Sequence, residues 1–321
     1  MNILITSAGR RVSLVRAFQN ELKKLYPSGI VYTTDMSPEL SSACQVADGF
    51  FKVKRVSDSD YIQDLLKLCI DNGIKLIIPT IDTELKVLSE SKSNFEEYGI
   101  QCLVSDYSII KDCRDKRKTH KLFERLNVNF AEEYSHDNPK FPLFIKPIDG
   151  SCSKDLYYIK DSSELTANLI DNEDLMFLEY IDPKENKEYT LDLYFDRNNN
   201  LKCIVPRERI EVRSGEINKG KTTKNYLVEY VLKRFEYVQG FVGCITLQLF
   251  YNEEKGNVCG IEINPRFGGG YPLSYSAGAN FPKWVIQEYF LDQKIEFFNG
   301  WENNLLMLRY DDEILIHNYA G

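Results

Sequence analysis

Residues 259–266, with the sequence CGIEINPR, contain a short strand whose two faces differ in chemistry. Successive side chains of a strand point to opposite faces, so Glu262 and Asn264 share the face opposite the two isoleucines. Residues 243–249, GCITLQL, alternate in the same way and carry Gln248 on their polar face. The loop between the two stretches is short and polar, which predicts an antiparallel hairpin. The three polar side chains are therefore expected to gather on one face.

This polar group predicts a binding site for a hard cation. Gln248 and Asn264 would add amide oxygens to the carboxylate of Glu262, and such oxygens suit Mg²⁺, with Mn²⁺ as a substitute. Arg266 follows directly and places a fixed positive charge beside the site, suitable for phosphate oxygens. The alternative is an ordinary solvated sheet face.

A second candidate lies on the predicted strand that carries Lys146. This apolar strand leads into residues 149–154, DGSCSK, a loop of mostly small residues. Such a loop can fold over phosphates with its amides and hydroxyls, and the lysine neutralises charge there. The alternative is a lysine at a strand end with a turn behind it.

Charged residues alternate along residues 207–213, RERIEVR. The alternation puts Arg207, Arg209 and Arg213 on one face of a predicted strand. They would either grip a carboxylate or a phosphoryl group, or belong to a solvated edge strand with Glu208 and Glu211 as their partners. Both interpretations stay open at this point.

Residues 215–222, GEINKGKT, match the P-loop pattern GxxxxGK[ST]. A P-loop requires a buried parallel strand before the loop, and here the preceding strand is the charged stretch at 207–213. The context therefore argues against a P-loop NTPase, which remains a lesser alternative.

The first hundred residues alternate short apolar strands with amphipathic helices, which predicts a parallel sheet covered on both faces. The turn at 6–11, TSAGRR, has one glycine where a dinucleotide-binding GxGxxG has three, so NAD binding is not favoured. The turn can still hold a small anion through its amides and Arg10 or Arg11. Residues 79–84, PTIDTE, either line a crevice or cap a helix through Thr80 or Asp82.

From about residue 113 onward, strands dominate, which predicts an α+β part built on antiparallel pairs.

The composition of the chain excludes several classes of protein. The 321 residues include 40 Lys+Arg and 48 Asp+Glu, and the net charge of −8 argues against a general nucleic-acid or anionic-membrane binder. The eight cysteines form no CxxC pair and are expected to be free structural thiols. No signal-like N-terminus and no apolar run of ~20 residues is present, so we expect a cytoplasmic protein without a membrane span.

Taken in order, the motifs resemble the ATP-grasp superfamily, and most closely a single-copy protein similar to the large subunit of carbamoyl phosphate synthase. The stretches that carry the resemblance are RDK at 114–116, FPLFIKP at 141–147, LEYI at 178–181, KEYTLD at 187–192, Gln248, EINPR at 262–266, GGG at 268–270 and AGAN at 277–280. The resemblance covers essentially the whole chain. It implies a Rossmann-like pre-ATP-grasp domain at 1–112, a small ATP-grasp lobe at 113–178 and a large lobe at 179–321.

The resemblance also implies roles for single residues. Lys116 and Lys146 would contact nucleotide phosphates, and Ser151, Cys152 and Ser153 would form the lid over them. Glu179, Tyr180 and Ile181 would form the hinge that holds the adenine through backbone groups. Glu188 would lie near the ribose.

At the reacting end, the resemblance assigns Mg²⁺ to Gln248, Glu262 and Asn264. Arg266 would stabilise the transferring phosphoryl group, and Arg207 and Arg209 are the further candidates for catalysis. The region 215–222 would be a substrate-side loop.

The implied activity is that of an ATP- and Mg²⁺-dependent carboxylate–amine ligase. A carboxylate would be activated as an acyl phosphate, and an amine or similar nucleophile would displace the phosphate. The partners are then a small carboxylate and an amine-type substrate, with a homodimer as the default assembly of a soluble enzyme. The alternative from another class is a non-catalytic ATP-binding regulatory module.

Overall fold

The N-terminal part of the chain forms a parallel sheet in the computed structural model, which describes residues 1–149, 155–213 and 215–319. Its elements are β1 (Asn2–Thr6), α1 (Val12–Leu25), β2 (Ile30–Asp35), α2 (Ser42–Val46), β3 (Gly49–Lys52), α3 (Tyr61–Asp71), β4 (Ile74–Pro79), α4 (Asp82–Glu90), α5 (Lys92–Glu96) and β5 (Gln101–Cys102). The strand order is β3-β2-β1-β4-β5, with every pair parallel. The predicted parallel sheet is confirmed. From β1 the chain builds the sheet outward to β2 and β3, and it then returns to the other side of β1 to add β4 and β5. The direction of strand addition therefore changes between β1 and β4, and ligands of such sheets bind beyond the carboxyl ends of the strands at this point.

A small antiparallel sheet follows. The next elements are α6 (Tyr107–Arg114), α7 (Lys116–Arg125), β6 (Glu133–Tyr134), β7 (Leu143–Pro147), β8 (Tyr157–Ile159), α8 (Ala167–Ile170) and β9 (Leu175–Glu179). The strand order is β6-β9-β7-β8. Leu143, Ile145 and Phe177 are fully buried and form the core of this small lobe.

The remaining strands build a larger antiparallel sheet. Its elements are β10 (Lys187–Phe195), β11 (Leu201–Arg213), β12 (Glu216–Thr222), α9 (Tyr226–Phe235), β13 (Gly243–Asn252), β14 (Asn257–Asn264), α10 (Tyr271–Ser276), α11 (Phe281–Leu291) and β15 (Leu306–Leu308). The strand order is β14-β13-β10-β11-β12-β15. The predicted hairpin is confirmed as β13 and β14, and the combination of a parallel N-terminal sheet with antiparallel lobes matches the expected fold class.

One face of the larger sheet is closed by helices α7 and α9. Leu191, Leu247 and Ile263 point to this face and pack with Leu227 and Phe123 in one apolar cluster. Gly260 is required here, because a Cβ on it would come within 2.6 Å of the Phe123 ring. This close contact fixes the C-terminal half of α7 against β14.

The opposite face of the larger sheet is divided in two. At one end, Tyr194 and Val205 pack with the N-terminal helix residue Phe18, the loop residue Phe267 and Trp284 of α11 in a second apolar cluster. The other end of the same face is polar. The N-terminal sheet is thus anchored beside the polar half, and its strand ends can contribute to a shared crevice.

Two sequence predictions about strands are wrong. Residues 216–222 are not a loop but strand β12, which pairs with β11 on one side and β15 on the other. A P-loop is therefore excluded, and Lys221 of the pattern forms an ion pair with Glu208 at 3.3 Å. For the same reason β11 is an interior strand and not a solvated edge. Its register with β12 shifts on both sides of Glu211, and Arg213 then pairs with Glu216.

Helices α4 and α5 are separated at Ser91, and α8 is a single turn of four residues. In the described part of the chain, no helix is long and apolar enough to cross a bilayer. The seven described cysteines are free thiols, and burial raises the pKa of Cys69 and Cys259 to about 12.

Candidate functional site

The polar half of the larger sheet carries side chains at directly paired positions. Gln248 lies across from Glu262 on one side and from Thr190 on the other, and Thr246 lies across from Asn264. Directly opposite residues of antiparallel strands project to the same face. Alternation within each strand and pairing between strands therefore bring these five polar side chains together.

Glu262 is the centre of this group. The side-chain amide of Gln248 donates to its Oε1 at 2.6 Å, and the amide of Asn264 donates to the same oxygen at 2.8 Å. Both amides present N–H groups to the carboxylate here, and rotation of each amide by half a turn would present its oxygen instead. One carboxylate with two amide oxygens fits a Mg²⁺ ion that keeps waters and takes further ligands from phosphates. Among the described residues, no group of three His, Cys, Asp or Glu side chains could hold a metal ion, so a zinc-type centre is not indicated there.

Two lysines approach this carboxylate from the small lobe. Lys146 belongs to β7 and is only 8% exposed. Lys116 opens α7, whose N-terminus is capped by Asp115 through the amides of Arg117 and Lys118. The Lys116 amide also donates to the carbonyl of Ile148 at 3.2 Å, which ties the helix start to the end of β7. Cap and strand together hold both ammonium groups on the same side of the site.

The electrostatics of the pair indicate a site for an anion. Burial and the neighbouring Lys116 lower the pKa of Lys146 to about 8, and the opposing effect of Glu262 is too weak to restore it. Burial likewise lowers the pKa of Lys116, again against Glu262. Burial and the charge of Lys146 lower the pKa of His120 to about 4. The two ammonium groups thus lie close together in a poorly hydrated region, where a bound polyanion would stabilise their charged forms.

The predicted adenine hinge lies at the end of β9. The Glu179 amide donates to the Glu132 carbonyl at 2.8 Å, and the Glu179 side chain points to the surface. The Tyr180 ring lies 4.5 Å from the ring of Tyr158, centroid to centroid. Ile181 lies beyond the end of β9, so its backbone N–H and C=O groups form no hydrogen bonds of the sheet. The hinge is therefore placed where backbone groups remain for a ligand.

Glu188 and Arg209 form an ion pair on the polar face, with Nε 3.0 Å from Oε1. Arg209 also donates to Thr190 Oγ1 and to the Gly215 carbonyl, both at 3.2 Å. Burial raises the pKa of Glu188, with Glu262 adding to the effect and Arg209 opposing it. Glu188 therefore stands between an arginine partner and the Glu262 carboxylate. The predicted lid residues Ser151, Cys152 and Ser153 lie outside the described residues.

Arg266 joins the N-terminal sheet to the site. Its Nη2 donates to Asp82 Oδ2 at 2.9 Å. Burial alone would lower the pKa of Arg266, but the contact with Asp82 and the nearby Glu262 raise it above its usual value. Asp82 stands at the start of α4 and makes no side-chain cap, and Thr80 donates instead to the carbonyls of Thr6 and Ser7. Of the two interpretations of residues 79–84, the crevice is the one that this geometry favours.

Arg207 is buried beneath the glycine loop 268–270 and is not placed to contact a substrate. It is 1% exposed and makes a two-pronged ion pair with Asp192, at 2.7 Å and 3.0 Å. Ser274 donates to the same carboxylate at 2.6 Å. A Cβ on Gly270 would come within 2.1 Å of Arg207 Nη1, so only glycine fits there without displacing the guanidinium. Arg207 thus holds the glycine loop 268–270 against the sheet, which is a positioning role.

The sequence alone did not identify the other side of this crevice. Arg11, from the turn after β1, and Glu216 of β12 both lie against Gly269. A Cβ on Gly269 would be 3.0 Å from Arg11 Nη1 and 2.7 Å from Glu216 Oε1, so the two side chains are near each other. Arg309 donates to Glu216 at 2.9 Å and to the Gly269 carbonyl at 2.6 Å. Arg11 was noted only as a candidate for a small anion, and no local pattern links it to Arg309, which lies almost three hundred residues away.

Two family models match separate parts of the chain. The one described as PylC-like, N-terminal domain, matches residues 3–103, and the one described as ATP-grasp in the biosynthetic pathway with Ter operon matches residues 171–305. No functionally curated protein matches the sequence.

Solved structures share the fold over most of the chain. The biotin carboxylase domain of 2-oxoglutarate carboxylase from Hydrogenobacter thermophilus, in complex with MgADP and bicarbonate, has a TM-score of 0.72 at 15% identity, covering 95% of this chain and 73% of that one. N5-carboxyaminoimidazole synthetase from Staphylococcus aureus, complexed with ADP, gives 0.67 at 16%, with coverage of 96% and 79%. L-amino acid ligase from Bacillus licheniformis gives 0.65 at 16%, with coverage of 90% and 73%. At these identities the similarity concerns the fold.

Proposed function

We propose that this chain, which belongs to the ATP-grasp superfamily, activates a carboxylate with ATP and Mg²⁺ for attack by an amine or similar nucleophile. The observation that carries the proposal is the pair of lysines, buried Lys146 and half-buried Lys116, beside the carboxylate of Glu262. Two ammonium groups next to a carboxylate and two side-chain amides suit a metal-bound triphosphate.

Each residue would have a separate task at the nucleotide. Lys116 and Lys146 would neutralise phosphate oxygens, Tyr180 and Ile181 would hold the adenine through their backbone, and Glu188 would bind the ribose. Gln248, Glu262 and Asn264 would hold Mg²⁺, or Mn²⁺ in its place. The bound cation would supply charge neutralisation at the transferring phosphoryl group.

The proposed reaction proceeds in two displacements. A carboxylate oxygen of the acid attacks the γ-phosphorus, the bond to the bridging oxygen breaks, and ADP leaves. The nitrogen of the amine then attacks the acyl carbon, loses its proton, and phosphate leaves. Arg266, held by Asp82, would stabilise charge on the transferring group. No protein nucleophile is needed, since positioning and electrostatic stabilisation account for catalysis of this kind.

The assembly and the domain limits belong to the same proposal. We place the pre-ATP-grasp domain at 1–112, the small lobe at 113–178 and the large lobe at 179–321. A homodimer is the proposed assembly, in line with the biotin carboxylase domain from Hydrogenobacter thermophilus, which is described as a dimer.

The test is release of ADP from ATP and Mg²⁺ in the presence of pooled acids and amines. We expect release that depends on an acid and falls at least about a hundredfold in Lys146→Met and Glu262→Gln. Lys221→Met is the matched control, because Lys221 is paired with Glu208 away from the proposed nucleotide, and it should keep the activity. ATP binding without acid-dependent turnover would instead identify a regulatory ATP-binding module, and equal activity in all variants would refute the site.

A further inference from the structure

A hollow lined by arginines lies beside the proposed reacting centre and is not used by the nucleotide. It is bounded by the turn after β1, the glycine loop 268–270, β12 and the segment after β15. A cavity of about 180 Å³ opens from it, lined among others by Arg10, Glu216, Asn218 and Arg309. The hollow thus combines residues from both ends of the chain.

Buried donors in this region lack acceptors among the described residues. Arg11 Nη1 and Arg266 Nε are each shielded from solvent and make no hydrogen bond. A buried guanidinium N–H without an acceptor is costly, so such atoms mark places where a ligand with oxygens would be stabilised. Arg11 Nη1 is the more informative of them, because it lies at the Gly269 backbone and close to Glu216, which lines the cavity.

The charges around the hollow do not balance. Five arginines surround it, namely Arg10, Arg11, Arg213, Arg266 and Arg309. They face four carboxylates, those of Asp82, Glu216 and Asp311 and, beside Arg266, that of Glu262. One positive charge remains in excess, in a chain whose net charge is −8. Burial, followed by the neighbouring Arg266, lowers the pKa of Arg11, which agrees with this excess of positive charge.

We infer that the acid activated by this protein carries a second anionic group, a carboxylate or a phosphoryl group, which binds at Arg11 and Arg10. The inference rests on the proposed function. The reacting carboxylate would lie at Arg266, beside Glu262, and the second group would lie further along the hollow toward Arg309. The second group would accept hydrogen bonds from the unpaired Arg11 Nη1 and offset the excess positive charge. A neutral or purely aliphatic tail would leave Arg11 Nη1 without an acceptor and the positive charge without a counterion.

The test compares matched acids as ligands. Succinate, glutarate and adipate would be titrated calorimetrically against butyrate, valerate and hexanoate, with 3-phosphonopropionate as the phosphoryl probe and a non-hydrolysable ATP analogue with Mg²⁺ present. At least one two-anion acid should bind ten times more tightly than its one-anion counterpart. If 3-phosphonopropionate binds more tightly than succinate, which has the same two methylenes, the second group is phosphoryl, and the reverse identifies a carboxylate.

Two variants and one control assign the effect to residues. Arg11→Met and Arg309→Met should abolish the preference, with circular dichroism establishing that each variant is folded. Arg16→Met removes the same charge from an exposed position on α1 and should retain the preference. The inference is overturned if no two-anion acid exceeds its counterpart, or if Arg11→Met and Arg16→Met behave alike. Binding of the ATP analogue and acid-dependent ADP release are measured separately, so a failure of the proposed function is seen independently.

Discussion

The lowered pKa of Lys146 predicts that the affinity for ATP depends on pH in the alkaline range. The pKa is about 8 in the nucleotide-free protein, because the ammonium is buried and lies near Lys116. Bound phosphates favour the charged form and raise this pKa, so binding takes up a proton wherever free Lys146 is neutral. The affinity is therefore full below pH 8 and is lost as the pH rises through that value.

The size of the effect follows from the titration of one group. From about pH 7 to about pH 9.5, the charged fraction of a lysine with a pKa of about 8 falls about 30-fold, which corresponds to ~2 kcal/mol of binding free energy. Isothermal titration with a non-hydrolysable ATP analogue and excess Mg²⁺ measures this loss. Titrations at pH 8 in buffers of different ionisation enthalpy should also give an uptake of about half a proton.

Lys146→Met is the control for this experiment, since it should bind the analogue weakly at every pH and lose most of the pH dependence. An affinity of the native protein that stays constant across the range would refute the account of a buried, unneutralised lysine. The same holds if binding takes up no protons at pH 8.

Three further predictions concern the site and its support. Glu262→Gln should lower acid-dependent ADP release by at least about a hundredfold, because the only carboxylate of the predicted metal ligands is lost; if metal titration shows an unchanged Mg²⁺ requirement, the ligand assignment is wrong. Asp192→Ala should destabilise the protein by about 3–5 kcal/mol, since it leaves Arg207 buried without its partner; denaturant unfolding measures this, and a loss below about 1 kcal/mol would contradict the buried pair. Gly270→Ala should cost about 1–3 kcal/mol in the same assay, because the new methyl group meets Arg207 Nη1 at 2.1 Å; unchanged stability would show that the loop can move away freely.

The hairpin of β13 and β14 could be predicted from the sequence because both strands alternate strictly and the loop between them is short. The alternation fixed which residues face the site, and pairing then placed Gln248 across from Glu262. The parallel sheet was predictable for a similar reason, since each strand and helix has a clear local period. The metal, nucleotide and catalytic assignments remain predictions.

Strand β12 was missed because its identity depends on partners and not on its own pattern. Residues 216–222 contain a glycine and two lysines, which are typical of a loop, and the strand is held by β11 and by β15, which is more than eighty residues away. Tertiary context outweighed the local propensity.

The role of Arg207 was also outside the reach of sequence reasoning. Alternation correctly grouped it with Arg209 on one face, but the burial of Arg207 depends on Asp192 of the adjacent strand and on Ser274 of α10. The hollow formed by Arg11, Glu216 and Arg309 is similar, since its residues meet only after the two ends of the chain have packed together.

Activation of a carboxylate by phosphoryl transfer can be detected by trapping the activated acid with hydroxylamine. The protein is incubated with ATP, Mg²⁺, hydroxylamine and one acid at a time, and both ADP and hydroxamate are quantified. We expect that at least one acid gives hydroxamate and ADP in a one-to-one ratio, and that Lys146→Met forms neither. ADP released without hydroxamate, at the same rate with and without acid, would show that no acyl phosphate is formed.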